Sequence, residues 1–228
     1  MSEEESADRV VPLRGARGMI ADKMRRSLGE TAQLTHHADC GAGALLACKA
    51  ALIGAGANVS VEDLIIDRVV ACLRRYPDLN GVLREREIHL SAAIHLCVAM
   101  ALPGNLLMAP AIFNSETMTL EARAAARREL AGRARANKLS VHEMTGGTFT
   151  VSNLGLSRVR YFTPILNAPQ IAILGIGQIY QAPWPNGKGG IDLRHMMGLS
   201  LTFDHQAVDG APAAAFLSDL CEIIETTT

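Results

Sequence analysis

Apolar residues recur along the chain at two spacings, and each spacing predicts a type of secondary structure. Apolar positions three and four residues apart predict amphipathic helices over 18–28, 61–75, 119–137 and 211–225. Short β-rich runs bounded by glycine, proline and asparagine predict strands at TFTVSNL, IAILGIG and LSLTF. An alternating and then apolar run over 87–101 predicts a strand pair or one long bent strand. Helices and strands therefore mix along the whole length, which predicts one α/β domain.

Capping signals support two of these helices. Ser60 fits the N-cap of the helix at 61–75, two acidic residues follow in its first turn, and Pro77 ends it. Thr119 is the corresponding N-cap residue for the helix at 119–137. The boundaries of both helices are therefore predicted independently of the apolar pattern.

Composition narrows the classes of function. The chain has 228 residues, of which 49% are hydrophobic and 20% charged, as in ordinary globular proteins. Lysine and arginine (22) nearly balance aspartate and glutamate (23), so a net charge of −1 gives no electrostatic reason to expect nucleic acid or a membrane as partner. No apolar run approaches the roughly 18 residues that span a bilayer. The acidic N-terminus has no apolar segment typical of a signal peptide.

The cysteines indicate a reducing compartment. Their number is odd, they are scattered, and no two form a CxxC pair, which argues against a disulfide framework and a zinc site. We therefore expect apolar core residues, no metal, and a cytoplasmic protein. The five positions are Cys40, Cys48, Cys72, Cys97 and Cys221.

Two glycine clusters, GAGALL at 41–46 and GAGANV at 54–59, share part of a nucleotide-binding pattern. Both lack the last glycine of GxGxxG, and neither is predicted to follow a strand and open a helix. The sequence therefore argues against nucleotide binding at either cluster.

Near the C-terminus, FDHQAVDG connects the strand LSLTF to the last predicted helix. Such a tight connection can present a side chain to a cavity, and His205 occupies it. Histidine titrates near neutral pH and can serve there as a general base. Asp209 precedes Gly210 at the predicted helix start, where a carboxylate caps backbone N–H groups. Taken alone, the motif leaves structural and catalytic roles open.

A second segment, GGTFTVSNLG, places Ser152 in a strand with glycines on either side. Together with FDHQAVDG, VPLRGARGMIADKMRRSL and RRYPDLNGVL, it resembles the catalytic domain of the dihydrolipoamide acyltransferases, the core component of the 2-oxo acid dehydrogenase complexes. A more distant resemblance is to chloramphenicol acetyltransferase, and nearly the whole chain is covered. The resemblance implies a chloramphenicol acetyltransferase-like two-layer sandwich with a mixed β-sheet and flanking helices, which builds a trimer.

The resemblance also implies a role for each matching residue. His205 is the general base that takes a proton from a thiol of coenzyme A or dihydrolipoamide. Ser152 donates a hydrogen bond to the oxyanion that forms when the thiolate attacks an acyl thioester. Asp209 supports the site through an ion pair with Arg17. The residues implied to shape the backbone of the site are Asn153 and Gly210.

The family builds its active site between neighbouring subunits of a trimer. The resemblance therefore implies that His205 of one chain faces Ser152 of the next. Coenzyme A and a lipoyl group, the latter carried by another domain or chain, are the implied substrates. A larger cubic or icosahedral assembly of trimers is implied as well.

The chain departs from the family pattern at particular residues and in the domains that it contains. Gln206 stands where the family has arginine after the histidine, and the segment 103–112 is altered, which leaves the acyl group open. Residues 1–8 are predicted to be a disordered tail or linker remnant, and 9–228 the catalytic domain, without lipoyl or peripheral-subunit-binding domains. The chain is thus either cut from a longer protein or a free-standing acyltransferase that meets its acyl carrier in trans.

Three functions stay open on the sequence alone. The first is acyl transfer between a dihydrolipoyl thiol and coenzyme A. The second is a non-catalytic scaffold of the same fold, for which the departures would mark lost chemistry. The third is a coenzyme A-dependent transferase that acts on a small amine or alcohol. The presence of His205, Ser152 and Asp209 favours catalysis, because a scaffold has no need of all three.

Overall fold

The computed structural model describes residue 8, residues 10–104 and residues 106–227. The predicted tail at 1–8 therefore lies, apart from residue 8, outside the described residues. The helices are α1 (Gly15–Glu30), α2 (Gly43–Gly54), α3 (Val61–Leu73), α4 (Leu120–Arg135), α5 (Val141–Thr145) and α6 (Gly210–Glu225). Across these ranges, no helix is both long and apolar enough to cross a membrane.

One mixed sheet organises the molecule. The strands are β1 (Gln33–Gly41), β2 (Gly81–Arg84), β3 (Glu87–Leu90), β4 (Leu96–Val98), β5 (Met100–Leu102), β6 (Leu106–Met108), β7 (Ala111–Ile112), β8 (Phe149–Asn153), β9 (Ala172–Pro185) and β10 (Ile191–Asp204). Six of them pair in the order β1-β10-β9-β8-β4-β7, while β2–β3 and β5–β6 form separate hairpins. β8 runs parallel to β4 and β9, and the other pairs of the large sheet are antiparallel.

The core lies between this sheet and helices α2, α3, α4 and α6. Leu45, Leu73 and Phe216 from the helices belong to one buried cluster with Phe149 and Phe203 from the strands. Complete burial of such side chains contributes about 1.5–3 kcal/mol each. The two-layer sandwich with a mixed sheet is therefore confirmed. Four of the cysteines are buried as well, namely Cys40, Cys72, Cys97 and Cys221.

Helix α3 begins where its sequence predicts. The Ser60 hydroxyl accepts the Asp63 N–H, and the Asp63 carboxylate accepts the Ser60 N–H, which together form a capping box. The helix ends at Leu73, and Pro77 begins a short 3-10 turn, Pro77–Leu79. Because the box fixes the first turn, it also fixes the direction of the acidic side chains there.

A long loop, residues 154–171, crosses the face of the sheet that points away from helices α2, α3, α4 and α6. A Cβ at Gly177 of β9 or at Gly198 of β10 would collide with the Arg160 carbonyl oxygen. A Cβ at Gly175 would lie 2.8 Å from the Phe162 ring. These glycines are needed because the loop backbone approaches the sheet so closely.

Two expectations from the sequence are wrong, and two elements next to the first glycine cluster were missed. The run at 87–101 holds parts of three short strands that belong to three different sheets. Strand β1 and helix α2 were not predicted, and the first glycine cluster does follow a strand and open a helix. Its Gly41 N–H donates to the Glu225 carboxylate at 2.7 Å, which places negative charge where a nucleotide phosphate would lie.

Candidate active site

Ser152 lies near the end of β8, on the side of the sheet away from helices α2, α3, α4 and α6. Phe149 and Val151 belong to the core, so the alternation of the strand turns Thr150 and Ser152 to the opposite face. There Ser152 lines a cleft of about 520 Å³. Within the described residues, none hydrogen-bonds to its hydroxyl, which can therefore donate to a group in the cleft.

The walls of this cleft are mostly apolar. Among its polar groups, Lys23 Nζ donates to Asn167 Oδ1 at 2.5 Å, and Asn167 Nδ2 donates to Thr150 Oγ1 at 3.3 Å. Burial lowers the pKa of Lys23, with a smaller opposing effect from Cys97. The altered segment 103–112 supplies part of the wall. Apolar lining residues include Met19, Met24, Leu106, Met108, Met144 and Phe162.

Asn153 points the other way, towards α3. Its Oδ1 accepts the Gly155 N–H at 2.7 Å, which shapes the turn after β8. Its Nδ2 donates to Glu62 Oε1 at 3.0 Å. Asn153 thus shapes the backbone next to Ser152, and it does so with a partner that the sequence did not identify.

His205 follows β10 directly, in the turn that leads to α6. Its side chain is 44% exposed, and its Nδ1 lies 3.7 Å from Asp209 Oδ1. Its backbone N–H donates to the Ala32 carbonyl at 2.9 Å, just before β1. The turn is therefore fixed to the start of β1 while the imidazole stays accessible.

Asp204 and Gln206 anchor the same turn on either side of the histidine. The Asp204 carboxylate is buried, and its Oδ1 accepts the backbone N–H groups of Ala32 at 3.1 Å and Gln206 at 3.0 Å. Gln206 Nε2 donates to the Glu30 carbonyl at 2.9 Å and to Asp204 Oδ1 at 3.2 Å. The residue that departs from the family thus joins α1 to the end of β10 without a positive charge.

Asp209 occupies the N-cap position of α6, but its side chain makes no capping hydrogen bond. The capping role considered from the sequence is therefore not the one observed. Its carboxylate, 84% exposed, instead lies 3.7 Å from His205 Nδ1, which makes an ion pair when the imidazole is protonated. Gly210 begins α6 next to the His36 ring. Arg17 lies in the first turn of α1, and its pairing with Asp209 stays a prediction.

A single chain does not bring Ser152 and His205 together. The strand register pairs Ser152 with Gly175 and Gly175 with Ser200, two strands across the sheet. Ser200 precedes His205 by five positions, which is about 16 Å along the strand, and two strand spacings add about 10 Å sideways. Neither side chain spans that separation.

Three charged side chains near these groups were missed from the sequence. Lys23 reaches the Ser152 cleft, and Glu62 contacts Asn153 while it pairs with Arg127. The capping box was the one local signal, since it places Glu62 in the first turn of α3. Over the described ranges, no group of three or more histidine, cysteine, aspartate or glutamate residues could hold a metal ion.

Proteins of one family match this chain along nearly its whole length. The family described as 2-oxoacid dehydrogenases acyltransferase (catalytic domain) matches residues 5–228. The dihydrolipoyllysine-residue acetyltransferase component of the acetoin cleaving system of Bacillus subtilis is 35% identical over 230 residues. That match covers 99% of this chain and 57% of the relative, so the chain spans little more than half of that protein.

Solved structures agree with the sequence comparison. The dihydrolipoamide acetyltransferase of Azotobacter vinelandii has a TM-score of 0.87 and 30% identity, over 96% of this chain and 92% of that one. The cubic core of the pyruvate dehydrogenase multienzyme complex has a TM-score of 0.87 and 30% identity, over 98% and 94%. Chloramphenicol acetyltransferase, at a TM-score of 0.59 and 14% identity over 89% and 94%, shares the fold alone. The predicted fold class is confirmed, and the chain belongs to the 2-oxoacid dehydrogenase acyltransferase (catalytic domain) family.

Proposed function

We propose that this chain is an acyltransferase that moves an acyl group between a dihydrolipoyl thiol and coenzyme A. The observation that carries the proposal is the spacing of its candidate residues. The Azotobacter structure concerns the roles of a serine, a histidine and an asparagine in catalysis, with the serine 52 positions before the histidine and the asparagine four after it. Here Ser152 precedes His205 by 53 positions, and Asp209 follows it by four.

In the proposed reaction, the His205 imidazole takes the proton from the attacking thiol, and the thiolate sulfur bonds to the carbonyl carbon of the thioester. Ordinary thiols have a pKa near 8.5, so this proton transfer contributes about 10²–10⁴-fold at neutral pH. The carbonyl oxygen becomes an oxyanion that accepts a hydrogen bond from Ser152, worth about 3–4 kcal/mol. The bond to the original sulfur then breaks, and the imidazolium returns its proton to the departing thiolate.

We place the proposed site between two subunits of a homotrimer, with His205 from one chain and Ser152 from its neighbour. The separation of the two residues within one chain supports this arrangement, and so does the exposure of His205. The likeness to the cubic core of a multienzyme complex supports a larger assembly of such trimers.

Coenzyme A and a lipoyl group are the proposed substrates, and the lipoyl group would come from another domain or chain. The name of the Bacillus relative, a dihydrolipoyllysine-residue acetyltransferase component, supports the lipoyl group. The match of a catalytic-domain family to residues 5–228 supports assigning residues 9–228 to a catalytic domain. The cytoplasmic location stays a prediction.

A thiol-trapping assay with acetyl-CoA and dihydrolipoamide tests the proposal. We expect acetyl transfer to the dithiol, and His205→Ala should lower kcat by about 10²–10⁴-fold with little change in KM. His195→Ala is the matched control, because His195 is an exposed histidine earlier in the same strand and should leave kcat unchanged. A correctly assembled protein without transfer would be a scaffold of the same fold. Transfer to an amine or alcohol but not to the dithiol would identify a different acceptor class.

A further inference from the structure

The Ser152 end of β8 is tied to the helix layer by the next residue, Asn153. Successive strand residues face opposite sides of the sheet, so Ser152 reaches the cleft while Asn153 reaches α3. Both ends of the Asn153 amide are occupied, by Gly155 N–H at 2.7 Å and by Glu62 Oε1 at 3.0 Å. The backbone beside Ser152 therefore depends on where Glu62 is held.

Glu62 is held by Arg127 of α4. The two carboxylate oxygens of Glu62 have different partners. Oε1 accepts a hydrogen bond from Asn153, and Oε2 lies 2.8 Å from Arg127 Nη1. The rest of the Arg127 guanidinium binds Asp63, with Nε to Oδ1 at 2.6 Å and Nη2 to Oδ2 at 3.1 Å. A planar fork can span two adjacent carboxylates in this way, whereas a lysine ammonium cannot.

Burial makes these charges effective. The side chains of Asp63, Arg127 and Glu62 are 2%, 18% and 19% exposed. Burial alone would raise the pKa of Asp63, but hydrogen bonds from Arg127 and Ser60 outweigh it and lower that pKa. Burial would likewise lower the pKa of Arg127, but the Asp63 hydrogen bond and both carboxylate charges raise it. Glu62 therefore faces a permanent and well-fixed cation.

We propose that Glu62 and Arg127 are positioning residues for the Ser152 hydroxyl and act through Asn153. The inference rests on the proposed function, in which Ser152 donates to an oxyanion. Such a donor must lie at hydrogen-bond distance from the place where the charge develops, and a displacement of about 1 Å can cost about 10²-fold in rate. Neither Glu62 nor Arg127 lines the Ser152 cleft, so their effect on rate would pass through the position of the serine.

A second ion pair between α3 and α4 supplies a matched control. Arg123 Nη1 lies 2.6 Å from Asp67 Oδ1, and the two side chains are 5% and 25% exposed. The other Arg123 partners are the carbonyl oxygens of Ser115 and Met118. Asp67→Ala therefore removes a partly buried ion pair between the same two helices and leaves the Asn153 contacts intact.

The test is a double-mutant cycle on kcat in the full assembled protein, with the melting temperature of every variant. We expect Ser152→Ala to lower kcat about 10²–10³-fold. Glu62→Ala should lower it about 10–100-fold with KM little changed. In the Ser152→Ala background, Glu62→Ala should change kcat by less than about twofold, because no hydroxyl remains to be positioned. Asp67→Ala should lower the melting temperature about as much as Glu62→Ala and keep the kcat of the unmodified protein.

Equal losses of kcat from Glu62→Ala in both backgrounds would overturn the inference, and so would a loss from Asp67→Ala as large as that from Glu62→Ala. If Glu62→Ala does not fold, Glu62→Gln takes its place in the same cycle, since it keeps an oxygen for Asn153 and removes the charge that faces Arg127. A Ser152→Ala variant with unchanged kcat would instead contradict the proposed function, and the two failures are thereby distinguished.

Discussion

The ends of β8 and β10 carry the two candidate groups and are held in opposite ways. At the end of β8, Ser152 opens onto an apolar cleft, and the next residue is tied to the ion pair of Glu62 with Arg127. At the end of β10, the His205 side chain is 44% exposed, and its turn is anchored by the buried Asp204 carboxylate, which accepts uncharged N–H groups of Ala32 and Gln206.

The contrast indicates what each end lacks. The Ser152 end has a cleft and a hydroxyl ready to donate. His205 of the same chain, however, lies two strands away across the sheet and about 16 Å away along the strand direction. The His205 end has an imidazole paired with a carboxylate, but a general base also needs a substrate held within hydrogen-bond reach. A neighbouring chain that brings its cleft to this turn would supply both needs at once.

The largest expected effect is complementation between chains. His205→Ala and Ser152→Ala proteins, each inactive alone, are unfolded together and refolded as a mixture. In random mixed trimers about a quarter of the subunit contacts would hold an intact histidine and an intact serine, so activity should recover to about a quarter of that of the unmodified protein. Acyl transfer from acetyl-CoA to dihydrolipoamide is the measurement.

The control for this experiment is each variant refolded alone, which should stay inactive. Mixed assembly is verified by mass spectrometry of differently tagged chains. Verified mixed trimers without recovered activity would mean that the site is built within one chain. A monomer by light scattering would remove the shared site altogether.

The next largest effect concerns the stability of the Ser152 end. The pKa of Asp63 is lowered in the folded protein, so its ionic contribution is present above the ordinary carboxyl pKa near 3.9 and fades as the pH falls through the folded value. Asp63→Asn should therefore lower the free energy of unfolding by about 3 kcal/mol at neutral pH and by less at about pH 3. Denaturant titrations at both pH values measure the loss. Asp209→Asn, the same change at an exposed site, should have little effect on stability, and equal losses for Asp63→Asn at both pH values would contradict the ionic explanation.

The fold was predictable where an element carries its own local signal. The capping box at Ser60 and the N-cap at Thr119 mark α3 and α4, and the apolar runs mark β8, β9 and β10. Strand β1 was missed because His36 interrupts the alternation of apolar Leu34, Ala38 and Cys40 with polar residues. Of the short strands around 87–101, β3 and β5 pair with their chain neighbours β2 and β6 in local hairpins. Strand β4 instead pairs with β7 and with the distant β8, and no local pattern encodes those partners.

The site, like the fold, was predictable only where a local sequence signal exists, which here means its motif residues. The resemblance points to Ser152, His205 and their immediate neighbours, which lie in short recognisable segments. The contact between Asn153 and Glu62 joins residues 91 positions apart, and Arg127 reaches Glu62 from a third segment. Such a contact exists only once the sheet and the helices have packed together.

A smaller expected effect tests whether Asp209 contacts Arg17 as well as His205. The resemblance implies that Asp209 pairs with Arg17, whereas the structure pairs it with His205. If Asp209 and Arg17 meet in the assembled protein, Asp209→Asn and Arg17→Leu should couple in kcat/KM by about threefold or more, since removal of either charge strands the other. Effects that simply multiply would show that the two residues do not meet. Arg14→Leu, at the residue before α1, is the matched control.

The smallest expected effect concerns the neutral anchor at the His205 end. The observed donors to the buried Asp204 carboxylate, namely the backbone N–H of Ala32 and the N–H groups of Gln206, carry no charge. An arginine at position 206 would add a positive charge one residue from His205. The other charged side chains around this turn are Asp209 beside His205 and, in the cleft that Gln206 lines, Arg26, Glu30, Glu85 and Arg86. Gln206→Arg leaves all of them in place.

A cation near an imidazole disfavours its protonated form, and only the neutral imidazole can accept the proton of the thiol. In the protein as it stands, kcat/KM should fall as the pH is lowered from 8 to 5. Gln206→Arg should move that fall to lower pH by about half a unit. Gln181→Arg, at an exposed position in β9, changes the net charge equally and should not move the profile.

Gln206→Leu removes the hydrogen bonds without adding charge, so it should lower the plateau and leave the midpoint in place. If Gln206→Leu moves the midpoint as far as Gln206→Arg does, the added charge does not cause the shift. The amide of Gln206 would then act only through the geometry of the turn.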